Sequence, residues 1–360
     1  MGDMTAYILP FEDCNRDQHN RVGGKCASLG TMMQAGATVP PGFAVTTEAY
    51  TELFATNGLG ECIHVWLERL NPEDVRTEEH HSHVIRKLME ETPVTAEIEA
   101  AIRMAYAELC QQVGVANVPV AVRSSATAED LPGYSFAGQQ DTYLWVVGEE
   151  AVVRYVRKCW SSLYTARAIS YRYDNGFAHE KVLMGVGVQK MVNAKAAGVA
   201  FTLNPINGDR SKIAIDSSWG LGEAVVGGEV TPDNFLIDKV ILEVVNRVIS
   251  AKQIEYVADR IHGHTVKRAI ETERQTQPSL TDAELVAVAK LAKRAEKHYG
   301  QPQDVEWAID ADLPPPDNVV LLQSRPETVW SRKERASISA GTPAGIEGLV
   351  HTLNKGVKTN

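Results

Sequence analysis

The chain has 360 residues, enough for about two or three domains, and its 44% hydrophobic and 23% charged content is ordinary for a soluble globular protein. A net charge of −10 argues against nucleic acid or an anionic membrane as the main partner, and no apolar run reaches the length needed to span a bilayer. The N-terminus lacks the charged-then-apolar pattern of a secretory signal, Ala6 breaks the myristoylation pattern, and the scattered cysteines contain no C-x-x-C, so reduced thiols in a cytoplasmic protein are expected.

Residues 5–10 read as a strand ending at Pro10. The run Val22-Gly23-Gly24-Lys25-Cys26-Ala27-Ser28-Leu29-Gly30 leads into a helical stretch to Gly36. Two glycines ahead of a helix let backbone N–H groups approach an anion, and Lys25 adds positive charge. The spacing is not that of a Walker A loop, and taken alone the run is better read as a glycine turn. Pro40-Pro41-Gly42 turns into a strand at Phe43–Val45, after which Thr46 or Thr47 caps a helix ending near Asn57-Gly58. Residues 61–113 read as mostly helical, with Ile98, Ala101, Ile102, Ala105 and Leu109 on one face. Within them His80, His81 and His83 could hold a metal, but the surrounding glutamates and Ser82 favour a solvated loop.

Pro119–Val122 reads as a buried strand that delivers Arg123 to a sheet edge, where ligand sites gather. The loop that follows, through Gln139, is rich in small, hydroxyl and glycine residues and could fold over phosphates; its length and composition favour function over a plain loop. A helix from about Glu149 to Arg167 comes next. Beyond residue 180 the pattern changes to strands at Val182–Val192, Ala197–Leu203 and Lys212–Ser218. Val188-Gln189-Lys190-Met191-Val192 is the kind of strand-to-linker segment where a purine can lie between two lobes, although an ordinary core strand fits it equally. Trp219-Gly220-Leu221-Gly222-Glu223 contains G-x-G, but Val225 stands where the dinucleotide fingerprint needs Gly or Ala. Phe235–Asp238 and Val240–Ile249 read as a hairpin about Asp238-Lys239. Thr281-x-x-Glu284 is a capping box for a helix ending at Gly300, with Leu285, Val288, Ala292 and Ala295 on its apolar face. Residues 331–360 read as a linker or docking arm, and no internal repeat is present.

The densest chemistry lies in two short runs, Asp304-Val305-Glu306-Trp307 and Leu321-Leu322-Gln323-Ser324-Arg325-Pro326. Alternate strand residues share a face, so Asp304 pairs with Glu306 and Gln323 with Arg325 on one surface each. The proline-rich loop from Ala311 to Asp317 can bring the second strand back beside the first. Carboxylates suit Mg²⁺ and an arginine suits phosphate oxygens, although an alternating surface hairpin is the commoner explanation of any one such pattern.

In order along the chain, VGGKCASLG, PPGFAVTT, AVRSSATAEDLPGYSFAGQQDTYL, GVAFTLNP, WGLGEAVVGG, QDVEWAI and LLQSRPET resemble the N-terminal nucleotide-binding region of the phosphoenolpyruvate synthase and pyruvate phosphate dikinase family, over about residues 20–330. The resemblance implies an α+β, two-lobed ATP-grasp fold of the dikinase nucleotide-binding type. Its lobes would span 1–180 and 181–330, followed by the tail 331–360. It implies ATP and Mg²⁺ as ligands, with Lys25 and Arg123 contacting phosphates, Arg325 contacting the γ-phosphate, and these three as the catalytic set. Glu306 and Gln323 would hold Mg²⁺; Gln189, Met191 and Val192 would lie on the adenine side; Asp304 and Glu223 would be further pocket residues.

Full-length family members continue into a swivelling domain, with a histidine in a Gly-Gly-x-x-Ser/Thr-His run, and a pyruvate-binding barrel. No histidine of this sequence lies in such a run. The expectation is therefore the ATP-binding subunit of a split phosphotransferase. It would cleave Mg·ATP to AMP and phosphate while phosphorylating a histidine on a separate subunit that also carries the acceptor site. The acceptor would be phenol, as in the family's phenylphosphate synthase branch. The alternatives are the same component of a split phosphoenolpyruvate synthase acting on pyruvate, or a non-catalytic nucleotide-sensing scaffold; the intact Lys25, Arg123, Glu306, Gln323 and Arg325 set opposes the scaffold.

Overall fold

Short apolar segments bounded by proline and glycine build two antiparallel sheets. The computed structural model describes residues 6–70, 75–128, 141–259 and 264–330. Met1–Pro326 forms one compact unit and a second begins at Glu327. In that second unit the Glu327 carboxylate accepts from the Val329 and Trp330 backbone N–H groups, closing a turn. The glycine-rich loop beyond Ala128 and the tail 331–360 lie outside the described residues.

In chain order the first part contains β1 (Ile8–Pro10), α1 (His19–Gln34), β2 (Gly42–Val45), α2 (Thr47–Ala55), α3 (Leu59–Glu68), α4 (Val75–Glu91) and α5 (Ala96–Val113). β3 (Val120–Ala126), β4 (Thr142–Val146), α6 (Glu149–Ser161), α7 (Ala166–Asp174) and β5 (Met184–Lys190) follow. The strands form a sheet in the order β1-β2-β5-β3-β4, antiparallel at every neighbour. Helical residues such as Ile85, Ile98, Ile102, Val156 and Trp160 bury against Val120, Val122, Val186 and Val188 of this sheet.

The second part contains β6 (Ala194–Phe201), β7 (Lys212–Trp219), α8 (Glu223–Val226), β8 (Asp233–Asp238) and β9 (Val244–Val248). Next come β10 (Ile254–Asp259), β11 (His264–Ala269), α9 (Thr272–Gln275), α10 (Asp282–Tyr299), β12 (Gln303–Asp310) and β13 (Val319–Pro326). The main sheet runs β13-β12-β6-β7-β8-β9, again antiparallel, and β10 pairs with β11 as a separate hairpin. The Thr281–Glu284 capping box opens α10 and left-handed Gly300 ends it. Its expected apolar face, Leu285, Val288, Ala292 and Ala295, packs with Val305, Trp307, Ile309, Ile213 and Ile215. That leaves the opposite face of the sheet for polar groups.

Behind β8 lies a fully buried ion pair. Lys252 Nζ donates to Asp233 Oδ1 at 2.5 Å and to Ser250 O at 2.8 Å, while Asp233 Oδ2 accepts from Ser279 N and Oγ. With its partners complete, this charge pair clamps the segments entering β10 and α10 onto the sheet.

Several expectations are corrected. β5 stays in the first sheet, so the chain changes sheets at residues 191–193, later than the division expected at 180/181. The glycine run lies inside α1, which kinks at Gly23 (φ 75°, ψ 173°), rather than ahead of the helix. His80, His81 and His83 sit on α4 and not on a loop. His81 is buried against the Trp66 ring (centroids 5.1 Å apart), and burial lowers its pKa. Ser82 beside it donates to Tyr164 O, so the segment that looked solvated by composition turns one face inward. Arg123 lies within β3 rather than after it. The helix expected to reach Arg167 ends at Ser161, and Thr165 caps the next one. The second hairpin strand starts late because Asp238 Oδ1 accepts from the N–H groups of Val240 and Ile241, holding a turn there. Strands β4, β10 and β11 had no counterpart in the sequence reading. No helix among the described residues is long and apolar enough to cross a membrane, and all five cysteines are free thiols.

Candidate functional site

Antiparallel pairing places Asp304 opposite Arg325 and Glu306 opposite Gln323. Strand parity then puts all four on one face of the sheet, while Val305 and Trp307 between them enter the core. Arg325 Nε lies 3.4 Å from Asp304 Oδ2. The ladder slips next to this set, because Glu306 faces Gln323 but Trp307 faces Leu321, leaving Leu322 as the extra residue of a β-bulge.

Arg123 reaches this bulge from the other sheet. Its Nη1 donates to Leu322 O at 2.9 Å, and its Nη2 donates to Gln323 Oε1 at 2.9 Å and to Glu306 Oε2 at 3.2 Å. The two charged side chains are only 17% and 30% exposed, so solvent screens the pair less than it would a surface pair. Arg123 Nε is buried with no acceptor among the described residues, which leaves a guanidinium N–H for a further oxygen ligand.

Lys25 is delivered by the kink in α1. A Cβ on Gly23 would lie 1.8 Å from Ser125 O, so only glycine permits this approach to β3. Ser125 Oγ accepts from Cys26 N at 3.1 Å, and Lys25 Nζ donates to Ser124 O at 2.9 Å, beside Arg123. One turn further, Ser28 Oγ donates to Ser324 O at 2.8 Å and thereby ties α1 to β13. Lys25, Arg123, Glu306, Gln323, Asp304 and Arg325 thus occur in one neighbourhood.

The segment expected on the adenine side divides. Gln189 is buried within β5, its Nε2 3.4 Å from Pro40 O, and by register it shares the sheet face of Arg123. Met191 packs with Ala121, Trp145 and Leu221. Val192 packs with Ala197, Ala308 and Val320, next to Leu322, forming an apolar patch adjoining Glu306 and Gln323. Glu223 opens α8, and its Oε2 is buried without a hydrogen-bond partner among the described residues. Burial, with Glu229 adding to it, raises the Glu223 pKa.

The Mg²⁺ expectation can be weighed against the donor set. Glu306 and Gln323 offer a carboxylate and an amide oxygen side by side, with the Asp304 carboxylate on the same face, all hard oxygen donors. Among the described residues no three His, Cys, Asp or Glu side chains converge as a metal cage. The residues fit an ion held by one or two protein oxygens together with phosphate, which is how Mg²⁺ is usually bound beside nucleotides.

Sequence reasoning missed the Leu322 and Ser124 carbonyls, because a backbone acceptor leaves no trace in residue type. It also missed Asp216, which lies on the transverse row Gln323–Glu306–Val199–Asp216–Asn234 of the same face. Asn234 Nδ2 donates to Asp216 Oδ1 at 2.7 Å, and burial raises the Asp216 pKa against the effect of that bond. The alternating pattern Lys212-Ile213-Ala214-Ile215-Asp216 carried the signal.

The chain belongs to the pyruvate phosphate dikinase AMP/ATP-binding domain family, which residues 19–343 match. Among its relatives, a probable phosphoenolpyruvate synthase of Staphylothermus marinus is 45% identical over 351 residues, covering 91% of this chain and 42% of that protein. The phosphoenolpyruvate synthase of Aeropyrum pernix is 45% identical over 351 residues (91% of this chain, 43% of that protein). A probable phosphoenolpyruvate synthase of Methanocaldococcus jannaschii is 43% identical over 371 residues (98% of this chain, 31% of that protein). The chain spans less than half the length of these relatives.

Proposed function

We propose that the chain is the ATP-binding component of a phosphoenolpyruvate synthase-type phosphotransferase, with the ATP-grasp arrangement of two sheets facing one nucleotide. The observation that carries this reading is the Arg123 guanidinium, which crosses from β3 to meet Glu306, Gln323 and the Leu322 carbonyl. The three side chains independently expected at phosphate and metal are in mutual contact. Family membership supports ATP as the nucleotide.

In this reading Arg123, Arg325 and Lys25 bind and orient the triphosphate. Each is held by an internal oxygen, from Leu322, Asp304 and Ser124 respectively, so each is placed before the ligand arrives. Glu306 and Gln323 would hold Mg²⁺, which when bound supplies charge neutralisation on the phosphate oxygens. Phosphoryl transfer needs positioned charge more than a covalent protein catalyst, and this residue set provides it. The patch of Val192, Ala308, Val320 and Leu322 would take the purine. The phosphoryl group would pass to a histidine on a swivelling domain, borne by a separate subunit in the split-enzyme reading, and thence to the acceptor; one water is consumed to release the remaining phosphate, and AMP is left. The names of the relatives above favour pyruvate over phenol as that acceptor. Free thiols and the acidic composition fit a cytoplasmic setting.

The test is to mix the chain with a histidine-bearing partner and Mg·ATP, then follow AMP formation with pyruvate or phenol as acceptor. Partner-dependent AMP formation that disappears in Glu306→Ala supports the reading. Unchanged turnover in that variant, or phosphorylation of a small acceptor by this chain alone, would sink it.

A further inference from the structure

On the outer side of α10, away from its packed face, Lys290, Lys293, Arg294, Lys297 and His298 line a groove of ≈ 760 Å³ whose apolar walls are Ala35 and Leu242. We propose that this groove is a docking surface for an acidic segment of a partner protein. The inference is independent of the nucleotide reading.

The spacing places these five residues on one helical stripe, at i, i+3, i+4, i+7 and i+8. Like charges three and four apart repel, so the stripe destabilises the helix that carries it. Basic residues in the last turn are explained by the helix dipole, but that effect fades within one turn and does not account for Lys290, Lys293 and Arg294. Internal acids do not relieve the repulsion either. Lys293 Nζ donates to Lys239 O at 2.6 Å and Arg294 Nη1 to Gly36 O, both backbone carbonyls. Among the described residues none of the four Lys and Arg of the stripe forms an ion pair, although the chain as a whole carries a net charge of −10. A self-repelling cationic row that forms no ion pair among the described residues, set in an acidic chain, has the charge complementarity of an external anion.

Size and sign decide which anion. The stripe extends about 12 Å along the helix axis, longer than one phosphate group. The acidic surface elsewhere opposes a long nucleic acid. The chain's own C-terminal segment carries Arg332, Lys333, Arg335, Lys355 and Lys358 against Glu334 and Glu347, the wrong sign for this groove. An acidic peptide segment, with carboxylates on the stripe and an apolar residue against Leu242, fits both.

The experiment titrates a fluorescein-labelled oligo-glutamate peptide into the full chain at low salt and reads fluorescence anisotropy. Lys290→Glu with Lys297→Glu should weaken binding about 10-fold or more, because both side chains are exposed and repulsion replaces attraction. A control with the same net-charge change elsewhere, Lys87→Glu with Arg154→Glu, should weaken it far less. Neutral Lys290→Gln with Lys297→Gln, checked for an unchanged melting temperature, should give an intermediate loss. Equal loss in the control pair, no binding of the peptide, or tighter binding of double-stranded DNA than of the peptide would each overturn the proposal.

Discussion

Arg123 and Leu322, on different sheets, are joined by a hydrogen bond of 2.9 Å from the guanidinium to the bulge carbonyl. The same planar fork reaches Gln323 and Glu306, so one side chain fixes the spacing of the three. A lysine has a single point of charge and cannot span them. Arg123→Lys should therefore lower ATP affinity about 10-fold, and the lost charged hydrogen bonds should cost about 1–3 kcal/mol of folding stability. Calorimetric titration and chemical denaturation would check the two parts separately. Parental affinity in the lysine variant would remove Arg123 from the phosphate-binding role.

Glu306 should govern the metal dependence of binding more than binding itself. In Glu306→Gln the added benefit of Mg²⁺ to ATP affinity should fall about 10-fold or more, while metal-free ATP binds as well as before or better. The measurement is ATP affinity with Mg²⁺ and with a chelator. An unchanged ratio would place the metal elsewhere.

Gly23 is held at φ 75° with Ser125 O where a Cβ would stand. Gly23→Ala should destabilise the chain by about 3 kcal/mol or more, since both strain and overlap oppose it. A melting temperature within a degree or so of the parent would show that α1 can shift without loss.

The buried Lys252–Asp233 pair gives a prediction of the opposite character, remote from the site. Lys252→Ala leaves a buried carboxylate without its counter-charge and should cost about 3–5 kcal/mol. ATP affinity of the fraction that remains folded should be unchanged. A loss of affinity without a loss of stability would contradict the clamp role.

Glu223 supplies a pH signature. Its pKa is raised, chiefly by burial and then by Glu229, so the folded chain holds this proton more tightly than the unfolded chain does. Stability from the group is complete below the ordinary carboxylate value and is lost as pH rises through the folded-state value. Glu223→Gln cannot ionise, so its melting temperature should match the parent near about pH 4 and exceed it near about pH 7. Parallel curves for the two proteins across this range would refute the assignment.

The polar face of β12 and β13 was legible because strand parity is local: Asp304, Glu306, Gln323 and Arg325 fall on one side whatever surrounds them. The α10 capping box was legible for the same reason. The contacts of Arg123 were not, because they depend on a bulge in a strand almost two hundred positions away and end partly on a carbonyl. The hairpin β10–β11 escaped because charged residues such as Glu255, Lys267 and Arg268 interrupt its apolar pattern, and the buried Glu255 carboxylate accepts from Arg268 and Arg274, partners that its own strand does not reveal. The histidine segment on α4 was misjudged because its polar composition hid an inward face at His81 and Ser82.

The bulge at Leu322 makes residue count, as well as residue identity, a determinant of the site. Deleting Leu322 would close the ladder into regular pairing, leaving Gln323 opposite Glu306 and Arg325 opposite Asp304 but removing the carbonyl on which Arg123 ends. The Leu322 side chain, by contrast, contributes only to an apolar patch, and Arg123 grips its carbonyl. Position 322 should therefore tolerate exchange among aliphatic residues in a selection for function, and the same selection should reject single-residue insertions and deletions there.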